Sequence, residues 1–221
     1  MIKACIFDMD GTVSNTLNSI AYFGNRALEK FGLSGYDTDA YRVMVGNGAS
    51  VLVRRMVENN GCFDEVLYRR ILDEYNMTYD NDFLYLTAPY DGILDLLDNL
   101  QSRGIVSAVL SNKPHSTTVK IATALFGNRL AKCYGGRDGV PLKPDPTALF
   151  ALMQELGVTA EECLYIGDTG TDMQTGKAGG CFTVGVLWGF RGEDELRENG
   201  ADVIVSDPSQ ILEIVKEKNA L

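Results

Sequence analysis

The segment Lys3-Ala-Cys-Ile-Phe-Asp8-Met-Asp10-Gly-Thr12 decides how this chain is organised: an apolar run ends abruptly in two carboxylates, a glycine and a threonine. Side chains on an extended strand alternate faces, so Asp8 and Asp10, two residues apart, look the same way from the strand end. One carboxylate of such a pair can attack an electrophile while its neighbour handles protons, provided positive charge keeps both from repelling an anionic substrate. Gly11 lets the backbone pass close to a bound anion, and Thr12 offers a hydroxyl and an amide donor. A strand running into an acidic turn would carry the same residues; the rest of the chain separates the two readings.

After this strand the apolar residues adopt helical spacing. Ile20, Phe23, Ala27, Leu28 and Phe31 predict a helix over 18–31 that stops at Gly32, and further helices are expected over 39–45, 50–59 and 64–81. From Pro89 onward helix and strand alternate. Helices are expected over 91–104, 117–126 and 145–156, the last opened by Pro146, and later over 171–178, 194–199 and 208–218. Short apolar runs over 105–110, 131–134, 163–166, 182–186 and 202–205 read as strands, the first continuous enough to be buried on both faces. This predicts an α/β core of residues 1–14 and 89–221, a Rossmann-like parallel sheet with helices on both faces. Residues 15–88 form an inserted all-helical unit in this reading.

Three more polar clusters follow strand runs: Ser111-Asn112-Lys113, Lys143 within Pro141-Leu-Lys-Pro-Asp-Pro146, and Gly167-Asp168-Thr-Gly-Thr-Asp172. Ligands of open α/β sheets bind at the carboxyl ends of strands, so all four clusters are expected at one site. Charge then dictates a further component. Each like-charge contact at about 4 Å costs about 4 kcal/mol at an effective dielectric of about 20, so four carboxylates around a phosphate require a divalent cation. With oxygen donors only, and a single histidine in the chain, that cation is magnesium. Lys143 would neutralise the attacking carboxylate and the phosphate, while Ser111 and Asn112 hydrogen-bond the phosphoryl oxygens.

Composition narrows the partners. The 221 residues are 45% hydrophobic, enough for a sizeable core, and 30 acidic against 20 basic residues give a net charge of −10, which disfavours nucleic acid. Cys5, Cys62, Cys133, Cys163 and Cys181 are scattered without a Cys-x-x-Cys pair and read as buried thiols of a reducing compartment. No signal-peptide pattern or membrane-length apolar run is present, so the expectation is a cytoplasmic protein that does not bind membranes. Its oligomeric state stays open.

Together, Asp8-Met-Asp10-Gly-Thr12, Ser111-Asn112, Lys143 and Gly167-Asp168…Asp172 resemble the four motifs of the haloacid dehalogenase-like superfamily, and 15–88 resembles that superfamily's cap. Tyr41-Arg-Val-Met-Val-Gly-Asn-Gly48, Ser111-Asn-Lys-Pro114 and Val186-Leu-Trp-Gly-Phe-Arg191 are most similar to phosphoglycolate phosphatases. The resemblance implies two-step phosphoryl transfer, with Asp8 as nucleophile and Asp10 as acid and base. Gly11, Thr12, Ser111, Asn112 and Lys143 would hold the phosphate. Mg2+ would sit on Asp8, the carbonyl of Asp10 and Asp168, with Asp172 in or beside its coordination shell. Asp10 itself favours phosphate chemistry, because dehalogenase relatives lack that second aspartate. Asn15 departs from the pattern, where relatives often carry Asp, which bears only on the cap hinge.

A cap entering after Thr12 and leaving before Pro89 would act as a lid over the strand ends. Gly46 and Asn47 are its candidate substrate contacts, and Arg42, Arg54 or Arg55 could receive a substrate carboxylate. His115, Trp188 and Arg191 are assigned no catalytic role. The expected activity is a magnesium-dependent phosphatase of a small phosphorylated metabolite, 2-phosphoglycolate first. A phosphosugar mutase, a nucleotidase or a pyrophosphatase stands as the alternative on the same core. A non-catalytic phosphate-binding protein is disfavoured by the intact set Asp8, Asp10, Lys143 and Asp168.

Overall fold

Strand β1 (Ala4–Phe7) is buried along its whole length and hydrogen-bonds on both edges, which places it inside a sheet. The computed structural model describes residues 1–61 and 63–220, so Cys62, read above as a buried thiol, lies outside the described residues. The sheet has six parallel strands in the order β5-β4-β1-β6-β7-β8, with β4 Val106–Pro114, β5 Lys132–Gly136, β6 Cys163–Gly167, β7 Phe182–Val186 and β8 Val203–Val205. Phe7 pairs with Val109 on one side and Ile166 on the other, so the carboxyl ends of β4, β1 and β6 lie abreast. The chain turns from β1 towards β4 and β5, then crosses to β6, and the strand order reverses at β1, where α/β sheets bind their ligands.

Alternation explains the two apolar layers. Cys5, Phe7, Leu164 and Ile166 face a core filled by helices α5 (Ile93–Ser102) and α10 (Ser209–Ala220). Ala4, Ile6, Cys163 and Tyr165 face the opposite side, where α7 (Thr147–Leu156) supplies Leu149, Leu152 and Met153. The expected parallel sheet with helices on both faces is what the chain forms. Helices α6 (His115–Phe126), α8 (Gly170–Ala178) and α9 (Glu193–Glu198) complete this region.

Four helices fall between β1 and α5: α1 (Leu17–Lys30), α2 (Thr38–Met44), α3 (Ala49–Asn59) and α4 (Glu65–Asn81). Their starts follow local chemistry: the side chains of Asp37 and Asp64 accept the Ala40 and Leu67 amides at 2.8 and 2.7 Å. The chain enters this group through β2 (Ser14–Asn15) and leaves through β3 (Ala88–Pro89), which pair antiparallel, Ser14 with Pro89 and Asn15 with Ala88. One boundary differs from expectation: β4 does not stop at Leu110 but carries Ser111, Asn112 and Lys113 to Pro114, where pairing with Gly136 resumes after a register shift. The polar residues expected after the strand are therefore on it. Among the described residues no helix is long and apolar enough to cross a membrane.

Candidate active site

The turn after β1 sets the first two side chains. The Met9 carbonyl accepts the amides of Thr12, Val13 and Ser14 at 3.4, 3.2 and 2.9 Å, folding the chain tightly while the Met9 side chain packs into the core. Asp8 and Asp10 consequently share the opposite side and both face one cavity of about 400 Å³. The Asp8 amide donates to the Ile166 carbonyl at 2.9 Å, tying the turn to β6.

Lys143 arrives from the loop after β5 and is almost wholly buried. Its ammonium lies 2.8 Å from Asp8 Oδ1 and 2.7 Å from Asp172 Oδ1, and donates to the Leu110 carbonyl at 3.0 Å, so all three of its protons are used. Burial alone would lower its pKa, but Asp172 and Asp8 hold it well above the usual lysine value. The lysine loop is itself clamped by Asn112, whose Oδ1 accepts the Lys143 amide at 2.8 Å and whose Nδ2 donates to the Lys143 carbonyl at 3.1 Å.

Asp168 and Asp172 come from the end of β6 and the start of α8. Asp168 accepts the Thr12 hydroxyl at 2.9 Å and the Phe190 amide at 2.8 Å. Asp172 accepts the Thr169 amide and hydroxyl at 3.1 and 2.6 Å, while Thr169 caps α8 in return, a reciprocal box that fixes the Asp172 carboxylate beside Lys143. Asp8, Asp168 and Asp172 each bring an oxygen within 4.8 Å of the others, all three buried.

One buried ammonium does not balance these carboxylates. Burial, and then Asp172, push Asp8 up to about 7 despite Lys143, and burial with Asp172 and Asp8 pushes Asp168 well above the carboxylate range. A pocket of buried oxygen donors short of positive charge is the donor set a hard divalent cation such as magnesium fits.

The cavity is lined on one side by Asp8, Asp10, Ser111, Asn112 and Lys113, and on the other by Val45, Gly46, Gly48 and Ala49 with Leu52, Tyr75 and Tyr79 from α3 and α4. Gly46 lines it and accepts Asn112 Nδ2 at 3.2 Å, so the loop after α2 is docked on the strand ends. The Ser111 hydroxyl accepts the Lys113 amide at 3.2 Å and keeps its own proton to give.

Several residues sit otherwise than their types suggested. Thr12 is fully buried with its hydroxyl on Asp168, so its side chain points away from the cavity. Gly11, at φ +86°, has a second reason to be glycine: a Cβ there would fall 2.3 Å from Asp168 Oδ2. Asn47 does not line the cavity; it bonds Thr171 Oγ1 at 3.3 Å and receives Arg55 at 3.0 Å. Arg42 reaches the Gly189 carbonyl at 3.0 Å, Arg54 lies over Phe63 and Tyr68, and Arg55 donates to the Met44 carbonyl at 2.7 Å, so none of the three enters the cavity. His115 accepts the Gly135 amide at 3.2 Å, away from the cavity. Trp188 donates to the Thr12 carbonyl at 2.9 Å and Arg191 to the Val45 carbonyl at 3.0 Å; both hold the rim.

Lys113 belongs to the Ser111-Asn112-Lys113 cluster expected at the site but carries no role in the sequence reading, yet it is the one cation lining the cavity among the described residues. Its ammonium lies 3.1 Å from both Asp10 oxygens and 4.3 Å from the centre of the Tyr79 ring. Burial would lower its pKa, but Asp10 and then Tyr79 raise it, so it is an ammonium at neutral pH. Once β4 is known to continue to Pro114, strand alternation puts Ser111 and Lys113 on one face.

The sequence model of haloacid dehalogenase-like hydrolases matches residues 5–186. The chain is 31% identical over 214 residues to a phosphoglycolate phosphatase of Pseudomonas syringae pv. tomato, covering 95% of this chain and 78% of that one. It is 29% identical over 216 residues to a phosphoglycolate phosphatase of Haemophilus influenzae, covering 95% and 96%. A crystal structure of a candidate phosphoglycolate phosphatase from Lactobacillus delbrueckii subsp. bulgaricus superposes with a TM-score of 0.91 at 29% identity, over 96% of this chain and 98% of that one. By the extent of these matches the chain belongs to the haloacid dehalogenase-like hydrolase family.

Proposed function

We propose that this protein is a magnesium-dependent phosphatase that hydrolyses a small phosphomonoester, 2-phosphoglycolate first, through a phosphoenzyme on Asp8. The observation that carries the reading is the Asp8 carboxylate, ion-paired at 2.8 Å with a buried Lys143 and opening with Asp10 onto one cavity. The names of the relatives from Pseudomonas and Haemophilus support the substrate.

In the first step Asp8 forms a bond to phosphorus as the ester P–O bond breaks, and the departing oxygen takes a proton from Asp10. In the second, Asp10 takes a proton from water, whose oxygen attacks phosphorus and frees Asp8. The Lys143 charge and the Ser111 hydroxyl proton oppose the charge developing on the phosphoryl oxygens, while Asn112 holds the lysine loop in place. Asp8, the carbonyl of Asp10 and Asp168 would hold Mg2+, with Asp172 beside them. When bound, the metal supplies positive charge against the carboxylates and the phosphoryl group.

Residues 15–88 act as the cap in this reading, and 1–14 with 89–221 as the core. The β2–β3 ribbon and the Gly46 contact with Asn112 support it. A second reading, a larger phosphomonoester such as a sugar phosphate, is favoured by the cavity of about 400 Å³, roomier than glycolate needs. Phosphate release from 2-phosphoglycolate and a panel of phosphomonoesters, with Mg2+, tests both. Release from 2-phosphoglycolate above the rest is expected. A preference for sugar phosphates moves the substrate to the second reading, and no release from any member overturns the activity.

A further inference from the structure

The cavity pairs one ammonium, Lys113, with the side chain that is to meet the leaving oxygen, Asp10. Elsewhere in the site lysine contacts are tight: Lys143 lies 2.8 and 2.7 Å from its two carboxylates and spends its third proton on a carbonyl. Lys113 is held more loosely. Its two contacts to Asp10 are both 3.1 Å, beyond the usual range for a charge-assisted bond, and its other neighbour is Tyr79, whose ring centre lies 4.3 Å away. No arginine or other lysine lines the cavity among the described residues, and the third acid there, Asp80, is occupied by Lys120 at 2.6 Å and Thr117 at 2.9 Å. The arginines of α2 and α3 are committed to the seam or to aromatic rings.

We propose that Lys113 is the residue that selects the leaving group, its ammonium receiving an anionic substituent carried on the carbon next to the ester oxygen of the substrate. The inference rests on the roles given to Asp8 and Asp10 above. If Asp10 protonates the ester oxygen, any group one carbon from that oxygen must lie beside the ammonium already resting on Asp10. A carboxylate there competes with Asp10 for the ammonium, whose two contacts to Asp10 are long at 3.1 Å. A neutral substituent gains nothing from it. The substrate class is therefore phosphorylated 2-hydroxy acids rather than phosphomonoesters at large. Because Lys113 sits 8% exposed, water screens that added contact little.

The test compares 2-phosphoglycolate with 2-phosphoglycolamide, of nearly equal shape but without the negative charge, using the full chain with Mg2+. Wild type, K113Q, K113M and K113R are assayed, with p-nitrophenyl phosphate as a reference for the chemistry alone. K113Q keeps a donor for Asp10 and most of the length, which guards against a variant that fails to fold. The wild type should prefer the acid over the amide in kcat/KM, and K113Q and K113M should reduce that preference roughly 10- to 100-fold, the worth of one hydrogen bond to a charged group. K113R should retain most of it. If K113Q and K113M lose activity equally on acid and amide, Lys113 serves only Asp10 and the inference is overturned. If the wild type cleaves the aryl phosphate but shows no preference for the acid, the inference falls while the phosphatase reading stands. If the wild type cleaves none of the three, both fall.

Discussion

Lys143 and Asp172 form an ion pair at 2.7 Å in which neither side chain keeps meaningful contact with solvent, and the same ammonium reaches Asp8 at 2.8 Å. Asp172 is thus the fixed anchor of the lysine, since its second oxygen is held by Thr169. Removing one partner of a buried pair costs about 3–5 kcal/mol, part of it offset here by relief of repulsion on Asp8 and Asp168. Asp172→Ala should accordingly lower the melting temperature by roughly 6–12 °C, using 2–4 °C per kcal/mol for a chain of this size. Asp172→Asn should lose less. A thermal melt unchanged within a degree or so in Asp172→Ala would contradict the anchoring role.

Asp8→Asn should separate chemistry from folding. An amide cannot attack phosphorus, so turnover of an aryl phosphate should fall at least about a thousandfold. The metal-free protein should melt no lower than wild type above about pH 7, because the substitution removes a carboxylate that burial already disfavours. Undiminished turnover in this variant would end the phosphoenzyme mechanism.

Gly11→Ala should damage the metal pocket through space rather than charge. The new Cβ would lie 2.3 Å from Asp168 Oδ2, on a residue held at φ +86° where an alanine costs about 1–2 kcal/mol by itself. Phosphatase activity should fall sharply, and the Mg2+ concentration giving half-maximal activity should rise. Wild-type dependence on Mg2+ in this variant would show that Asp168 does not need that space.

The buried carboxylates make stability depend on pH in a direction that Mg2+ should reverse. In the metal-free protein Asp8 is raised from 3.8 to about 7 and Asp168 is raised as well, so the folded state holds protons that the unfolded chain has released. Stability from these groups therefore falls as pH climbs from about 4 through about 7. A divalent cation displaces those protons, so the rise in melting temperature on adding Mg2+ should grow between about pH 5 and about pH 8. Melts with and without Mg2+ across that range measure it. A shift independent of pH would mean that the cation binds elsewhere.

Much of this architecture was readable because it rests on short-range rules. Asp8 and Asp10 directly follow the apolar run 4–7, and the clusters holding Ser111, Lys143 and Asp168 each come after an apolar run in an α/β pattern, whose strand ends the sheet gathers. The four helices between β1 and α5 were visible as a succession of helical spacings from Ile20 to Tyr79. What escaped depends on long-range partners. Thr12 and Asn47 could bond either a ligand or protein, and only the folded positions of Asp168 and Thr171 decide for protein. Lys113 escaped because Ser-Asn-Lys-Pro resembles a turn; the extension of β4 past Leu110 comes from pairing with β5, which no local pattern announces. The carbonyls that occupy Arg42, Arg55 and Arg191 are likewise invisible in sequence.

The ribbon of β2 and β3 has an evolutionary corollary. Ser14 faces Pro89 and Asn15 faces Ala88, so under the proposed division into cap and core the chain departs and comes home through a single doorway, outside the rungs of the six-stranded ladder. Leaving-group preference and bond-breaking can then diverge on separate schedules. Lys113 is the exception, since it belongs to the ladder yet packs against Tyr79 of α4, so a change of the proposed cap would leave its ammonium in place.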